Sequence, residues 1–572
     1  MKRTILTSVS FAALLAAAPA LAQNNTSTVG QSGDNQTATV SQGGSNDGST
    51  VTQSDADNTA TVVQNGQVGG ESTITQSGAG NTASLDQADD ATGTDPTQTS
   101  TITQSGDNND ADVTQDQETS FAGFTTNEST VTQSGSDNEA TVAQNDDGQF
   151  STITQSSDGN DATVTQGVSG SGDTTYENDS TVNQGGTGSH SADVSQTGFV
   201  NRSNVDQTGE NNDAIVSQSG DLNQSDVLQS GEDSGATVTQ SGEFNDSDVT
   251  QSSLNAAAAD VDQSGDFNTS DVSQSDDAGG TAFVDQSGDE NESTVTQTSL
   301  NSQADVSQSG NNNLSNLTQG RNDGNAFQTN GQEALIDQSG NDNESQATQT
   351  GSSGDLNLSQ SGDRNFSDVM QSGFDNSAGN SDTSLVGVNQ SGDDNESFVN
   401  QGGQLSAAFV DQIGDGNFAE IDQLVNNAPN PAGGNDPTVA TASITQAGDD
   451  NRGSILQNGG SATNSARLMT ASIDQSGDNN ESSITQTNTA IAATSSGNEA
   501  TSIQGGNDNL STIAQDGVLN TANVTQSGNL NVSDVSQMGS GHTATVLQSS
   551  DSNNSTVTQT GMGNTATVTQ GM

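Results

Sequence analysis

From Gln548 to Gln570 the chain reads QSSDSNNSTVTQTGMGNTATVTQ, with Gln548, Gln559 and Gln570 eleven residues apart. If Asn553 to Gln559 is extended, Asn553, Ser555, Val557 and Gln559 face one way and Asn554, Thr556 and Thr558 the other. The first set recurs in the next unit as Asn564, Ala566, Val568 and Gln570, while the second set is polar. Strict alternation with β-branched residues predicts a strand of about five or six residues. Between strands, phrases such as S-G-D-x-N supply the Gly and Asp that tight turns require.

The same unit runs through nearly the whole chain. Moving back from the C-terminus, Gln537, Gln526, Gln515 and Gln504 keep the spacing, and about 44 such glutamines can be counted from Gln31 onward. A short, persistent period is the mark of a repeat architecture. Four residues before each repeat Gln, Ala and Ser alternate: Ala38, Ser49, Ala60, Ser72, Ala83, Ser100, and at the far end Ala544, Ser555, Ala566. Leu356, Val386, Ala419 and Gly453 depart from the rule without changing its phase. The true unit is therefore about 22 residues, two strands and two turns. The expected fold is all-β: a long flattened β-solenoid of about 22 two-strand rungs with cross-β stacking, an Ala-type sheet facing a Ser-type sheet. Two buried β-branched residues per rung cannot offset the entropy of ordering 22 residues, so backbone and Asn/Gln ladders between rungs must supply much of the rest.

Departures from the spacing are insertions at particular turns. Gln87 to Gln104, Gln115 to Gln133 and Gln166 to Gln184 lengthen the Ala-to-Ser turn, whereas Gln371 to Gln390, Gln423 to Gln446 and Gln486 to Gln504 lengthen the Ser-to-Ala turn. The longest carries Pro429, Pro431 and Pro437, which cannot donate to a ladder, and is the expected hinge.

Composition excludes several functions. The formal charge is −67, and loss of Lys2 and Arg3 with a leader leaves −69, no lysine and five arginines. Nucleic acid is excluded as a partner, because its affinity comes from basic contacts. With no cysteine there are no disulfides or thiolate metal sites. Lys2 and Arg3, the apolar stretch Ile5 to Leu15 and Ala20-Leu21-Ala22 read as a secretory signal peptide, residues 1–22, cleaved before Gln23. The expected organisation is this leader, a short segment 23–30, and tandem repeats over 31–572, exported and not membrane-embedded. Neither end of the repeat carries an evident capping segment, so both end rungs are expected to be open.

The pattern Q-x4-N-x5-Q, as in Gln53–Asn58–Gln64, Gln133–Asn138–Gln144 and Gln559–Asn564–Gln570, resembles the curlin repeat of bacterial curli subunits. The resemblance covers nearly all of the chain after the leader. It implies an exported subunit that crosses the outer membrane through a dedicated pore, is started by a nucleator, and polymerises with copies of itself into cell-surface amyloid fibres for adhesion and biofilm matrix. The matching residues here are the ladder amides just quoted, with Gln504, Gln515, Gln526, Gln537 and Gln548. This chain has several times the usual number of repeats and is far more acidic.

No catalytic residues, cofactor or metal ligands are read in the sequence. His190 and His542 each stand where Asn is the rule, six residues before a repeat Gln, with no local partner for catalysis. The Gly-Asp-x-Asn turns offer oxygens but lack the spacing of calcium-binding β-rolls. Two other classes remain as alternatives: a non-amyloid surface rod or adhesin, and an ice-binding solenoid. For the latter, outward Thr-x-Thr pairs such as Thr37/Thr39 and Thr565/Thr567 argue in favour. Asp226, Asp248 and Asp271, one rung apart, argue against an uncharged array.

Overall fold

The computed structural model describes residues 24–66, 69–89, 98–117, 126–145, 148–167, 177–253, 256–275, 279–320, 331–351, 354–372, 384–402, 406–425, 440–459, 469–488 and 497–571. The expected leader, Tyr176, Arg321, Arg467 and the expected hinge with Pro429, Pro431 and Pro437 lie outside them. All regular structure among the described residues is β: 44 strands, from β1 (Thr26–Asp34) to β44 (Thr565–Gln570). They are six to nine residues long, somewhat longer than the repeat predicts, because several continue past the Gln into the turn, as β43 (Asn554–Met562) does.

The chain divides into two compact units, Met1–Leu222 and Asn223–Met572. The first holds β1 to β16 (Asp213–Asp221) and the second β17 (Gln224–Gln229) to β44. The construction is the same in each. Odd-numbered strands pair only with odd and even only with even, always parallel, so two sheets are stacked rung by rung into a β-solenoid. Register is exact at the repeat: in the first unit Ser49 lies against Ser72, Val51 against Ile74 and Gln53 against Gln76. In the second, Ala522 lies against Ala544, Val524 against Val546 and Gln526 against Gln548. The odd sheets carry the Ser column and the even sheets the Ala column, as the alternation requires. Neither sheet closes on itself: β43 pairs with β41 (Val532–Ser540), and β44 with β42 (Thr543–Gln548), on one side only.

Inward columns are almost fully buried and outward ones are not, giving the strict alternation seen in β9 (Glu128–Gln133) and β23 (Glu292–Gln297). The exceptions to the Ala/Ser rule stay inside, Leu356 at 2% and Val386 and Ala419 at 0% exposure. Volume is exchanged locally. Ala347 takes a Val position on the strand before the one carrying Leu356. Gly453 leaves room for Ile444, whose Cγ2 would lie 2.9 Å from a Cβ at that position. The interior is thin enough that a single methyl is felt.

Insertions respect the strands. In the first unit every internal segment outside the description follows an even strand, and in the second every internal one follows an odd strand. The opposite turns are tight and uniform. Between β26 (Glu333–Ser339) and β27 (Glu344–Gln349), Gly340 has φ 114° and Asp342 φ 57°. Residues with bulky side chains adopt the same left-handed conformation elsewhere, including Phe244, Phe267 and Leu530. Stacking compensates for their strain, since each turn donates to the turn before it, as Asp342 N–H does to Asn311 O at 3.0 Å. A Cβ at Gly340 would stand 2.1 Å from Gly362 O in the next rung, whereas one at Gly235 meets nothing within 4 Å. Gly340→Ala should therefore lower local stability around β26 and β27 by more than about 1 kcal/mol, and Gly235→Ala by less than that. Residue-resolved hydrogen exchange on the folded chain checks the difference.

Candidate functional site

Among the described residues no cleft gathers the chemistry of this chain; it is spread along the interior as columns of amides. In the odd sheet of the first unit, Gln31 Nε2 donates to Gln53 Oε1 at 2.7 Å and Gln53 Nε2 to Gln76 Oε1 at 2.8 Å. Gln104 donates to Gln133 and Gln133 to Gln155, both at 2.9 Å. In the even sheet Gln64 donates to Gln87, and Gln115 to Gln144, which donates to Gln166. The second unit repeats this in both sheets. Gln515 donates to Gln537 and Gln537 to Gln559, while Gln504, Gln526, Gln548 and Gln570 form one unbroken chain. The second Nε2 hydrogen crosses the interior to a backbone carbonyl, as from Gln537 to Thr521 O at 2.9 Å. Between the end rungs, a repeat glutamine such as Gln537 therefore accepts from one rung and donates to the next and to the opposite wall, which satisfies a buried polar group without water. Every such bond has the donor on the N-terminal rung, so the ladders have a direction.

Asparagines close the turns. Asn58 Nδ2 donates to Ser54 O and Gly78 O, and its Oδ1 accepts from Asn81 N–H in the next rung at 2.9 Å. Asn138 accepts likewise from Asn160 N–H at 2.8 Å. Asn564, on the last rung, donates from Nδ2 to Thr560 O. The two histidines take over this work. His190 N–H donates to Asn160 Oδ1, its Nδ1 accepts from Asn212 N–H at 3.1 Å, and its Nε2 lies 2.7 Å from Gly185 O. His542 has the same arrangement, with Nδ1 accepting from Asn564 N–H and Nε2 beside Met538 O. Both bonds require the neutral ring protonated at Nε2. Burial holds the His190 value below that of a free histidine, so its contribution is present above the ordinary value and is lost as pH falls from there through the lowered folded value.

A second column of acceptors, not recognised in the sequence, lines the tight turns of the second unit. Asp266 Oδ1 accepts from Glu243 N–H at 2.8 Å, Asp393 Oδ1 from Asp363 N–H at 2.9 Å, and Asp415 Oδ1 from Asp393 N–H at 2.9 Å. The signal was the Asp or Asn two residues before the repeat Asn, which reads as ordinary turn chemistry until the turns are stacked.

The Ser column has no such network. Ser49, Ser247, Ser293 and Ser511 are among those whose buried Oγ has no hydrogen-bond partner among the described residues. Outside, Asp226, Asp248 and Asp271 lie in register on consecutive odd strands. Burial, then the carboxylates of Asp246, Asp226 and Asp271, push Asp248 up to about 6, and burial raises Asp246, Asp262, Asp305 and Asp368 as well. An aromatic ladder, Phe366, Phe398 and Phe418 with centroids 5.5 and 5.6 Å apart, ends on the Arg452 guanidinium 4.0 Å above the Phe418 ring. Among the described residues no group of three His, Asp or Glu side chains could hold a metal ion, and no helix is long and apolar enough to cross a membrane.

The curlin associated repeat matches residues 191–220, 209–242, 255–298, 448–487, 520–549 and 543–571, stretches in both units. These six stretches are similar to the curlin associated repeat and support a curlin-repeat family. No curated protein matches the chain.

Gln537→Ala should destabilise its rung by about 1–3 kcal/mol, because it strands two buried amides. Ser536→Ala, on the outer face, should stay within about 0.5 kcal/mol. Ser511→Ala removes an unpartnered buried hydroxyl and should be neutral or stabilising. Hydrogen exchange or denaturant midpoints on the three variants rank them.

The raised carboxyls give a pH dependence with a definite sign. A folded value above the ordinary one favours the fold below the ordinary carboxylate range and loses that contribution as pH rises through the folded value. Denaturant midpoints should therefore be higher near about pH 4.5 than near about pH 7.5. Asp248→Asn should reduce the difference.

Proposed function

We propose that this chain is a structural subunit of extracellular curli-like amyloid fibres, which support adhesion and biofilm matrix by self-assembly. The observation that carries this reading is the directional Gln ladder. On β44, Gln570 accepts from Gln548, while its own Nε2 finds only Asn554 O, a backbone group of the same rung. On β1 the inward Val29 is 43% exposed, where Val51 in the next rung is 0% exposed. A further rung of the same chemistry, supplied by a second copy, would continue the Gln column and bury the valine; a different sequence would not. Head-to-tail addition is heterologous, so it generates filaments and not closed rings.

In this reading the segment 1–22 directs export, and the unfolded chain leaves through an outer-membrane pore to meet a nucleator at the cell surface. The acidity keeps the secreted chain soluble and makes assembly depend on ions. Like charges one rung apart repel by nearly 1 kcal/mol per pair even at the dielectric constant of water, and salt shortens the range of repulsion from ~30 Å to ~10 Å between ~0.01 and ~0.1 M.

Freshly desalted chain should therefore grow fibres after a lag that shortens with salt and is abolished by preformed fibre. Thioflavin fluorescence followed over time, with fibre diffraction of the product, makes the test. A chain that stays monomeric for days at high concentration in saline buffer, and ignores seeds, overturns the proposal.

A further inference from the structure

The outward columns are not alike. On the odd sheet of the first unit, five consecutive strands carry the same outward phrase, Thr-x-Thr-x-Ser. They are β3 (Gly48–Ala56), β5 (Glu71–Gln76), β7 (Thr99–Gln104), β9 and β11 (Gln149–Gln155), and the phrase runs from Thr50/Thr52/Ser54 to Thr152/Thr154/Ser156. Register places Thr73 against Thr101 and Thr101 against Thr130, and beside them Thr75 against Thr103 and Thr103 against Thr132. The first column continues without interruption to Thr28 on β1 and Thr181 on β13 (Asn178–Gln184). The serines stay in the ladder, since Ser105 N–H donates to Gln133 O and Ser134 N–H to Gln155 O.

Three properties set this face apart. It is uncharged: across those five strands no Asp, Glu, Lys or Arg enters the three columns, in a chain of net charge −67. The nearest carboxylates on the same face, Glu71 and Glu128, stand at the outer margin, in the column beyond the first threonine. The even sheet of the same unit is interrupted by Asp86, Asp112 and Asp193. The threonines are also open, exposed or half-exposed, and their hydroxyls make no hydrogen bond to the protein among the described residues. Finally, the array is regular in two dimensions. Strand spacing sets one repeat at ~4.8 Å and alternate residues along a strand set the other at ~6.6 Å. Stiff Thr rotamers over a uniform Val/Ile interior keep the hydroxyls and methyls in ranks.

A hydroxyl both donates and accepts, so neighbouring threonines can be bridged by water, and the methyls between them leave that water no other protein partner. Water held on such a lattice is ordered at spacings close to those of the oxygen planes of hexagonal ice. Carboxylates would break the order, because each keeps a hydration shell of its own. Asp226, Asp248 and Asp271 interrupt the array on the odd sheet of the second unit, not on this one.

We propose that the threonine face of β3 to β11 binds ice. The surface engages the lattice of hexagonal ice through a rank of ordered water, independently of whether the chain forms fibres.

The test uses the folded full chain, monomeric or assembled, with its β-type circular dichroism recorded. Ice grown in its presence should be faceted, should take the protein into the solid, and should show a gap between melting and growth temperatures. Thr101→Tyr with Thr103→Tyr places two rings in the middle of the array and should remove most of that gap. Thr163→Tyr with Thr165→Tyr, the matching outward pair on the even sheet, should leave it unchanged. If the first variant loses its β spectrum, Thr101→Ser with Thr103→Ser decides the matter, since it deletes only two methyls and should still lower the gap. Ice that grows as in an inert protein solution overturns the proposal, and so does a gap that survives the substitutions in the array. Fibre growth measured on the same variants should not change, which separates this proposal from the assembly reading.

Discussion

Everything in this molecule depends on one buried amide meeting an identical amide one rung away. A glutamine side chain in a thin, dry interior has an acceptor and two donors to satisfy. The neighbouring Gln and one carbonyl across the gap satisfy them, as at Gln537. This is only possible if successive strands are parallel and in exact register. A slip of one residue would turn the Gln outward and bring Thr or Asp inside. The constraint explains why the period survives across such unequal insertions: Gln412 still meets Gln446, thirty-four residues away, at 3.0 Å. Chain between rungs is free to vary as long as it returns to the same column.

The same constraint made most of the fold legible in the sequence. Gln spacing located the strands, period-2 alternation gave their faces, and the Ala/Ser alternation separated two sheets. The exceptions at Leu356, Val386 and Gly453 could be seen as exceptions, but the exchange of volume that permits them is a three-dimensional fact. What the sequence hid depends on stacking. The bulky left-handed residues Phe244, Phe267 and Leu530 look wrong for a turn until the turns above and below are seen to hold them. The Asp column at the turn edge reads as loop composition until each carboxylate is found accepting from the previous rung. Outward Thr-x-Thr pairs were visible in the sequence, but the extent of the threonine face was not, because TVTQ occurs in both units and in both sheets. Asp226, Asp248 and Asp271 break the outward columns only in the second, while the register from Thr50 to Thr152 is clean in the first.

Charge and order are set against each other here. Among the described residues the inward columns are built of uncharged side chains apart from the buried Asp47, and most of their Gln and Asn amide groups are hydrogen-bonded, so nearly all the acidity is carried on outward columns and turns. Stacking that aligns amides inside also aligns carboxylates outside, as at Asp248, which burial and then the neighbouring Asp246, Asp226 and Asp271 push up. The arrangement tolerates the repulsion because water and ions reach the outer face, while nothing but the next rung reaches the inner one. The Ser column is the least bonded of the interior columns: Ser397 donates to Ser367 at 2.8 Å, but hydroxyls such as those of Ser49, Ser247 and Ser511 have no partner among the described residues.

The account rests on Gln lying over Gln through the stack. Electron cryomicroscopy of the folded or assembled chain, at a resolution that separates strands, addresses this directly. It should find parallel rungs of two strands at ~4.8 Å spacing, with the Gln, Val/Ile and Ala or Ser columns continuous inside both sheets. Antiparallel strands, or repeat glutamines displaced from one another between rungs, would contradict it.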